Sequence, residues 1–142
     1  MVIASNHQSF LDIPILLAVL PADFAFVSKA EVFSVPLLGT AMGVLRIIRL
    51  HRSSRAGGRE ALEQCVSTLE SGRSVVLFPE GTRSEDGLLG RFKPGAAWLA
   101  SRARVPLIPV AIDGEFRLLP RHTMLGRPGH VVVRIGTPIP AP

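Results

Sequence analysis

Strand-like runs alternate with helix-like runs along the whole chain, and that alternation restricts the fold more than any other feature. Val2-Ile3-Ala4 is β-rich and leads through a polar loop into an apolar helical run, Phe10 to Leu20. Phe24 to Ser28 reads as a second strand ending in Lys29, Pro36 to Gly43 as a short apolar helix or turn, and Leu45 to Leu50 as a third strand interrupted by Arg46 and Arg49. A basic connection, Arg52 to Gly58, precedes the clearest amphipathic helix, Arg59 to Ser71. There Ala61, Leu62, Cys65, Val66 and Leu69 share one stripe, and Gly72 is the expected stop. Ser74 to Phe78 is continuously apolar, as strands buried on both faces tend to be. A long polar loop, Pro79 to Phe92, is followed by a helix over Pro94 to Ala103 with Pro94 in the first position. Leu107 to Ile112, broken by Pro109, and Val131 to Ile135 are the last strands, and the Pro-rich Thr137 to Pro142 ends the domain. The pattern predicts one α/β domain over residues 1–142, a mostly parallel sheet with a mixed edge, flanked by helices.

Composition narrows the partners. The net charge of +5 suits phosphate-bearing molecules or an anionic membrane surface. Aromatics are only 6% and there is no Tyr, so platforms for stacking single-stranded nucleic acid are scarce, and no nucleic-acid partner is expected. The single cysteine, Cys65, excludes an internal disulfide and a cysteine-based metal cluster, and its place on an apolar helix stripe makes it a small buried hydrophobe. His7, His51, His122 and His130 show no metal-ligand spacing, so no metal is expected. No run reaches the ~18–20 apolar residues needed to span a bilayer. The best, Ile13 to Ala22, contains Pro14 and Pro21 and lies between Asp12 and Asp23.

The chemistry begins at Ser5-Asn6-His7-Gln8-Ser9-Phe10-Leu11-Asp12. This stretch puts a histidine at the carboxyl end of a strand and an aspartate in the first turn of the next helix. Two residues five apart within one helix sit roughly 140° apart around its axis, so His7 and Asp12 meet only if His7 is in the loop. Ser9-x-x-Asp12 also reads as a capping box with Ser9 as N-cap, which on its own is a purely structural account. Three further polar features fall at corresponding places: Lys29 after the second strand, Arg49 near the end of the third, and Glu80-Gly81-Thr82-Arg83 after the Phe78 strand. In a parallel sheet these gather at one edge, where ligands bind. Together they supply a base, an orienting carboxylate and several cations.

These residues carry a family resemblance. Asn6 to Asp12 resembles the HX4D motif of the glycerolipid acyltransferases, and Phe78-Pro79-Glu80-Gly81-Thr82-Arg83-Ser84 resembles their FPEGTRS motif. Val105 to Val110 resembles the proline-bearing fourth motif, Gly43 to Arg49 the second, and Phe92 to Ala96 a further signature. Order and spacing agree across nearly the whole chain. The subgroup it resembles most is the 1-acylglycerol-3-phosphate (lysophosphatidic acid) acyltransferases. The resemblance implies a glycerol-3-phosphate acyltransferase-like fold. It also implies acyl transfer from acyl-CoA or acyl-carrier protein to the free hydroxyl of 1-acylglycerol-3-phosphate, with no cofactor. It assigns His7 as general base, Asp12 as its orienting carboxylate, Glu80, Gly81, Thr82 and Arg83 to the acceptor site, and Lys29 and Arg49 to the phosphate. Backbone amides near His7 or the Glu80-Gly81 turn would steady the oxyanion. With no G-x-S-x-G elbow and Cys65 out of place, transfer is expected to be direct, without an acyl-enzyme.

Two departures qualify that picture. In the second motif Arg46 stands where Phe is usual and Ile48 where Asp is usual, which bears on substrate preference. Full-length relatives carry membrane-seating helices before the first motif, whereas this chain starts at the motif and is expected to lack them. The expected location is the cytoplasmic face of a membrane, peripherally, or soluble cytoplasm for a complete chain. The apolar Phe10–Leu20 run reads as a core helix or as one meeting lipid. Alternative readings are an acyltransferase for another lysophospholipid or acceptor, and a non-catalytic lipid or acyl-CoA binding remnant.

Overall fold

The computed structural model describes residues 1–21, 23–34, 42–43, 47–51, 55–123 and 125–141. The strands are β1 (Val2–Ser5), β2 (Phe24–Lys29), β3 (Ile48–Leu50), β4 (Ser74–Leu77), β5 (Leu107–Asp113) and β6 (Val132–Ile135). The helices are α1 (Asp12–Val19), α2 (Arg55–Glu70), α3 (Gly95–Ala103) and α4 (Glu115–Leu118), with a 3-10 turn over Ala30–Ser34. The expected helix over Pro36 to Gly43 lies outside the described residues except at Met42 and Gly43. So do Leu45 and Arg46 of the expected third strand and residues 52–54 of the basic connection.

The six strands form one sheet in the order β3-β2-β4-β1-β5-β6. All neighbours are parallel except β5 and β6, which are antiparallel. The mostly parallel sheet with a mixed edge is therefore as the sequence implied. Alternate residues face opposite layers, as the two-residue period requires. Val2, Ala25 and Val75 pack with Ala61, Cys65 and Leu69 of α2 and Leu99 and Ala100 of α3. On the other face Ile3, Phe24, Phe26, Val76 and Ile108 pack with Leu16 of α1. Cys65 lies in the first of these layers, where burial pushes its thiol up to about 12, so it is an inert hydrophobe there.

Three elements differ from the sequence reading, each for a local reason. α2 begins at Arg55, not Arg59, and takes in Gly57 and Gly58, which had looked like a connection. A Cβ on Gly57 would lie 2.5 Å from His51 Cβ and 2.6 Å from the His51 carbonyl oxygen, so glycine is there for the close approach of the helix to the end of β3. β5 runs unbroken through Pro109. The Pro109 carbonyl accepts from Gly136 N–H at 2.8 Å, so its nitrogen faces the β6 side as well, and the ladder to β1 loses no donor. α1 is neither a core helix nor apolar all round in its environment. Asp12 and Leu16 are buried, while Leu17 and Val19 are 43% and 45% exposed.

The two glycines of α2 allow a controlled comparison. Alanine is favoured over glycine inside a helix by about 0.5–1 kcal/mol. Gly58→Ala, with nothing within 4 Å of its added Cβ, is expected to stabilise by that amount. Gly57→Ala is expected to destabilise by about 1–3 kcal/mol, because the clash is with backbone and outweighs the propensity gain. Urea denaturation of the two variants checks both signs.

Candidate active site

β1 ends at Ser5, and Asn6 to Leu11 cross the carboxyl edge of the sheet before α1 starts at Asp12. His7 therefore sits in the loop and Asp12 in the first helical position, the arrangement under which residues five apart can touch. Asp12 is fully buried, and its Oδ2 accepts from His7 Nδ1–H at 2.7 Å, Gln8 N–H at 2.8 Å and Ser9 N–H at 3.1 Å. That fixes the imidazole with its proton on Nδ1 and its basic lone pair on Nε2. The His7 ring stacks on Phe78, centroids 4.1 Å apart at 17°.

Only half of the expected capping box forms. Asp12 accepts from Ser9 N–H, but Ser9 Oγ accepts from Leu11 N–H at 3.1 Å and not from Asp12 N–H. The helix starts later than Ser9 as N-cap implied, with Leu11 in the N-cap position and no side-chain cap bond, and the Ser9 hydroxyl donates to the Leu119 carbonyl at 2.8 Å. Asp12 Oδ2 thus serves the loop and the imidazole together.

A cavity of about 400 Å³ opens beside His7. Its polar lining includes His7, Lys29, Thr82, Arg83 and Arg121, and its apolar lining includes Ile13, Val27, Met42, Leu77 and Phe78. Three neighbouring strands bring these together: β1 carries His7, β4 the 78–83 turn and β2 Lys29. With β4 between β1 and β2, the ends bearing His7 and Lys29 are two strand spacings apart, about 10 Å. Arg83 lies over the Phe10 ring, Cζ 3.6 Å from its centroid. Burial, and then the neighbouring Arg121 guanidinium, hold Arg83 below its ordinary value, although an arginine there remains protonated. Arg121 donates to the Arg83 carbonyl at 3.3 Å and pairs with Glu85, which also accepts from His122 at 2.8 Å. Two neighbouring guanidiniums lining a cavity repel each other, and an anion between them relieves that repulsion.

Not every expected residue faces the cavity. Glu80 is 5% exposed and turned inward: Oε1 accepts from His7 N–H at 2.8 Å and Oε2 from Gly90 N–H at 2.8 Å. It clamps the His7 loop to the 87–90 loop and does not line the cavity. Arg49 is exposed in the middle of β3, its Cζ 4.4 Å from the Phe33 ring centroid, and it too is not among the lining residues. Arg46 of the altered second motif lies outside the described residues. The amides of His7, Gln8, Ser9 and Gly81 are committed to internal acceptors. Among the described residues, no group of three or more His, Cys, Asp or Glu could hold a metal ion.

Sequence reasoning missed Arg121 and a second residue, Glu115. Glu115 is the first residue of α4 and is fully buried. Gly114 before it has φ +104°, and a Cβ there would collide with the His130 carbonyl oxygen, so only glycine makes this turn. Burial, followed by the negative charges of Asp12 and Asp113, pushes Glu115 up to about 7. Both residues follow β5, so the same edge rule applied one strand further would have pointed to them.

The family model described as Acyltransferase matches residues 1–113. The chain is 41% identical over 119 residues to a chloroplastic 1-acyl-sn-glycerol-3-phosphate acyltransferase of Brassica napus, covering 84% of this chain and 34% of that protein. It is 33% identical over 142 residues to the 1-acyl-sn-glycerol-3-phosphate acyltransferase of Saccharomyces cerevisiae, covering 97% and 46%. Among solved structures it resembles the 1-acyl-sn-glycerophosphate (LPA) acyltransferase PlsC from Thermotoga maritima, with a TM-score of 0.84 and 34% identity, covering 99% of this chain and 55% of that one. The chain thus spans between a third and just over half of these relatives.

The raised Glu115 value predicts a pH dependence of stability. Its folded value of about 7 lies above the ordinary 4.5, so the native state holds the proton more tightly than the unfolded chain. Stability then falls as pH rises from 4.5 to about 7 and levels off above, a loss on the order of 2–3 kcal/mol. Glu115→Gln is expected to remove that slope, raising Tm relative to wild type at about pH 8 and not at about pH 4. Thermal melts across that range check it.

Proposed function

The chain belongs to the acyltransferase family, and from that premise we propose that it moves a fatty acyl group from acyl-CoA or acyl-carrier protein to the free hydroxyl of 1-acylglycerol-3-phosphate, giving phosphatidic acid for phospholipid synthesis. The observation that carries the reading is the buried Asp12 fixing His7 beside a cavity lined by cationic side chains and by apolar ones. A lysophosphatidate has that same division: a phosphate, a hydroxyl a few bonds away and an acyl chain.

In this mechanism the phosphate lies between Arg83 and Arg121 with Lys29 beyond, which brings the acceptor hydroxyl to His7 Nε2. Nε2 takes the hydroxyl proton as the oxygen attacks the thioester carbonyl, and Asp12 stabilises the imidazolium that forms. The tetrahedral oxyanion falls to backbone amides not spent internally, with Thr82 and Arg83, both lining the cavity, as the donors on the 78–83 turn. The intermediate collapses by breaking the carbon–sulfur bond, and the departing thiolate takes the proton back from His7. No acyl-enzyme forms. Glu80 contributes by holding the His7 amide, not by touching substrate.

The same reading places the protein peripherally on an anionic membrane, at the cytoplasmic face. It is supported by the net charge of +5 and by exposed Phe10, Leu17 and Val19 around α1, adjoining the cavity through Phe10. No described helix is long and apolar enough to cross a membrane.

Turnover of labelled acyl-CoA with lysophosphatidic acid in detergent is expected to drop by about 10²–10⁴-fold in His7→Ala and Asp12→Asn, with circular dichroism unchanged. Arg83→Gln is expected to raise KM for lysophosphatidic acid by about tenfold and leave KM for the donor alone. Acyl-CoA binding without turnover in any form, wild type included, would instead identify a binding protein. In flotation with anionic liposomes, wild type is expected to rise with the lipid and Leu17→Asp/Val19→Asp to remain below.

A further inference from the structure

The short helix α4 lies under the catalytic loop and is tied to it at both ends. At its start, Asn6 Nδ2 donates to Glu115 Oε1 at 3.3 Å. At its end, Leu119 accepts from Ser9 Oγ at 2.8 Å. Asn6 is itself locked in place, because its side-chain amide forms two strand-like bonds with Ile112, Nδ2–H to the carbonyl at 2.8 Å and Oδ1 from the N–H at 2.7 Å. This prolongs the β1–β5 ladder by one residue to the position just before His7.

Three buried oxygens in this neighbourhood have no protein partner: Ser5 Oγ, Asp12 Oδ1 and Glu115 Oε2. Asp12 Oδ2 has three donors and its sister oxygen none. The charges acting on Glu115 are Asp12, from α1, and Asp113, from the end of β5, and both are acidic. Two like charges buried together cannot both be held cheaply, and one of the acids keeps its proton. Asp12 Oδ2 has three donors and Glu115 Oε1 one, so Glu115 is the acid that burial and its acidic neighbours hold up.

We propose that Glu115 is a positioning residue for the His7–Asp12 pair, a buried neutral acid whose Oε1 accepts from Asn6 and so keeps the 6–9 loop seated against α4. It touches no substrate. Loss of its proton sets a second buried anion against Asp12 and disturbs the pair on which His7 depends. The inference deepens the acyl-transfer reading and rests on it.

The test is the pH profile of kcat for the chain acting on acyl-CoA and lysophosphatidic acid, from about pH 5.5 to about pH 9. Wild type is expected to lose about tenfold on the alkaline side. Glu115→Gln, which keeps a neutral acceptor for Asn6, is expected to stay within a fewfold of wild-type kcat near pH 6 and to lack the alkaline decline. Glu115→Ala is expected to lose about tenfold in kcat throughout, with both KM values within about twofold of wild type. A Glu115→Gln profile superimposable on wild type, or full kcat in Glu115→Ala, overturns the proposal. Infrared titration of the carboxyl groups decides it without turnover. A protonated-carboxyl band absent from Glu115→Gln, whose midpoint falls in Asp12→Asn, supports the coupling, and a midpoint indifferent to Asp12→Asn overturns it. An inactive wild type with that coupled band would sink the acyl-transfer reading alone.

Discussion

A single oxygen, Asp12 Oδ2, gathers the loop, the helix and the base. Its three donors come from consecutive residues, His7, Gln8 and Ser9, so the chain must wrap around it in a tight arc. That arc is energetically reasonable only because the carboxylate also lies at the positive end of α1, where backbone N–H groups lack partners. Remove the charge and the three donors keep only a weaker acceptor, and the imidazole loses the partner that fixes its tautomer. Glu80 supports the arc from the other side through the His7 amide, and α4 supports it from below. The histidine is thereby held by its ring, its backbone and its neighbours at once, and its Nε2 is left to do chemistry.

Much of this was legible in the residues. The alternation of strands and helices and the unbroken apolar run at Ser74–Phe78 point to a parallel sheet. The polar transition Ser5-Asn6 after Val2-Ile3-Ala4 places His7 at the carboxyl edge of the sheet. Pattern reading failed where it relied on average behaviour. Pro109 reads as a break, yet a proline whose nitrogen faces the end of a ladder costs nothing, and only the pairing partner reveals which way it faces. Gly57 and Gly58 read as loop because glycine disfavours helices, but Gly57 serves packing against His51, a contact outside any local window. The apolar run in α1 has no period, so its buried and exposed sides were indistinguishable until Leu16 was seen inside and Leu17 outside.

The residues of contiguous motifs were the ones whose neighbourhood could be anticipated: His7 meets Asp12, and His7, Gly81, Thr82 and Arg83 line one cavity. Glu80 was placed at the acceptor site by its motif alone, and nothing local announces that two amides, one of them ten residues on, will claim both of its oxygens. Arg121 and Glu115 follow β5 and belong to no contiguous motif, so only the edge rule applied to that strand points to them. The strand order settles their importance, since β5 is the other neighbour of β1 and its carboxyl end therefore borders the His7 loop.

The strand order has one more effect. His7, the 78–83 turn and Lys29 hang from β1, β4 and β2, which are adjacent and bound by backbone ladders. The gauge between proton acceptor and cation is thus set by repeats of the peptide backbone, about 4.8 Å at a time. Side chains in the two cores can be exchanged, and the chain made more or less robust, without re-gauging the site. Arg83, Arg121 and Phe10 sit on the loops above, where substitution changes what is gripped and leaves the span alone. A fold of this kind can therefore diversify its choice of headgroup while every descendant inherits the same ruler.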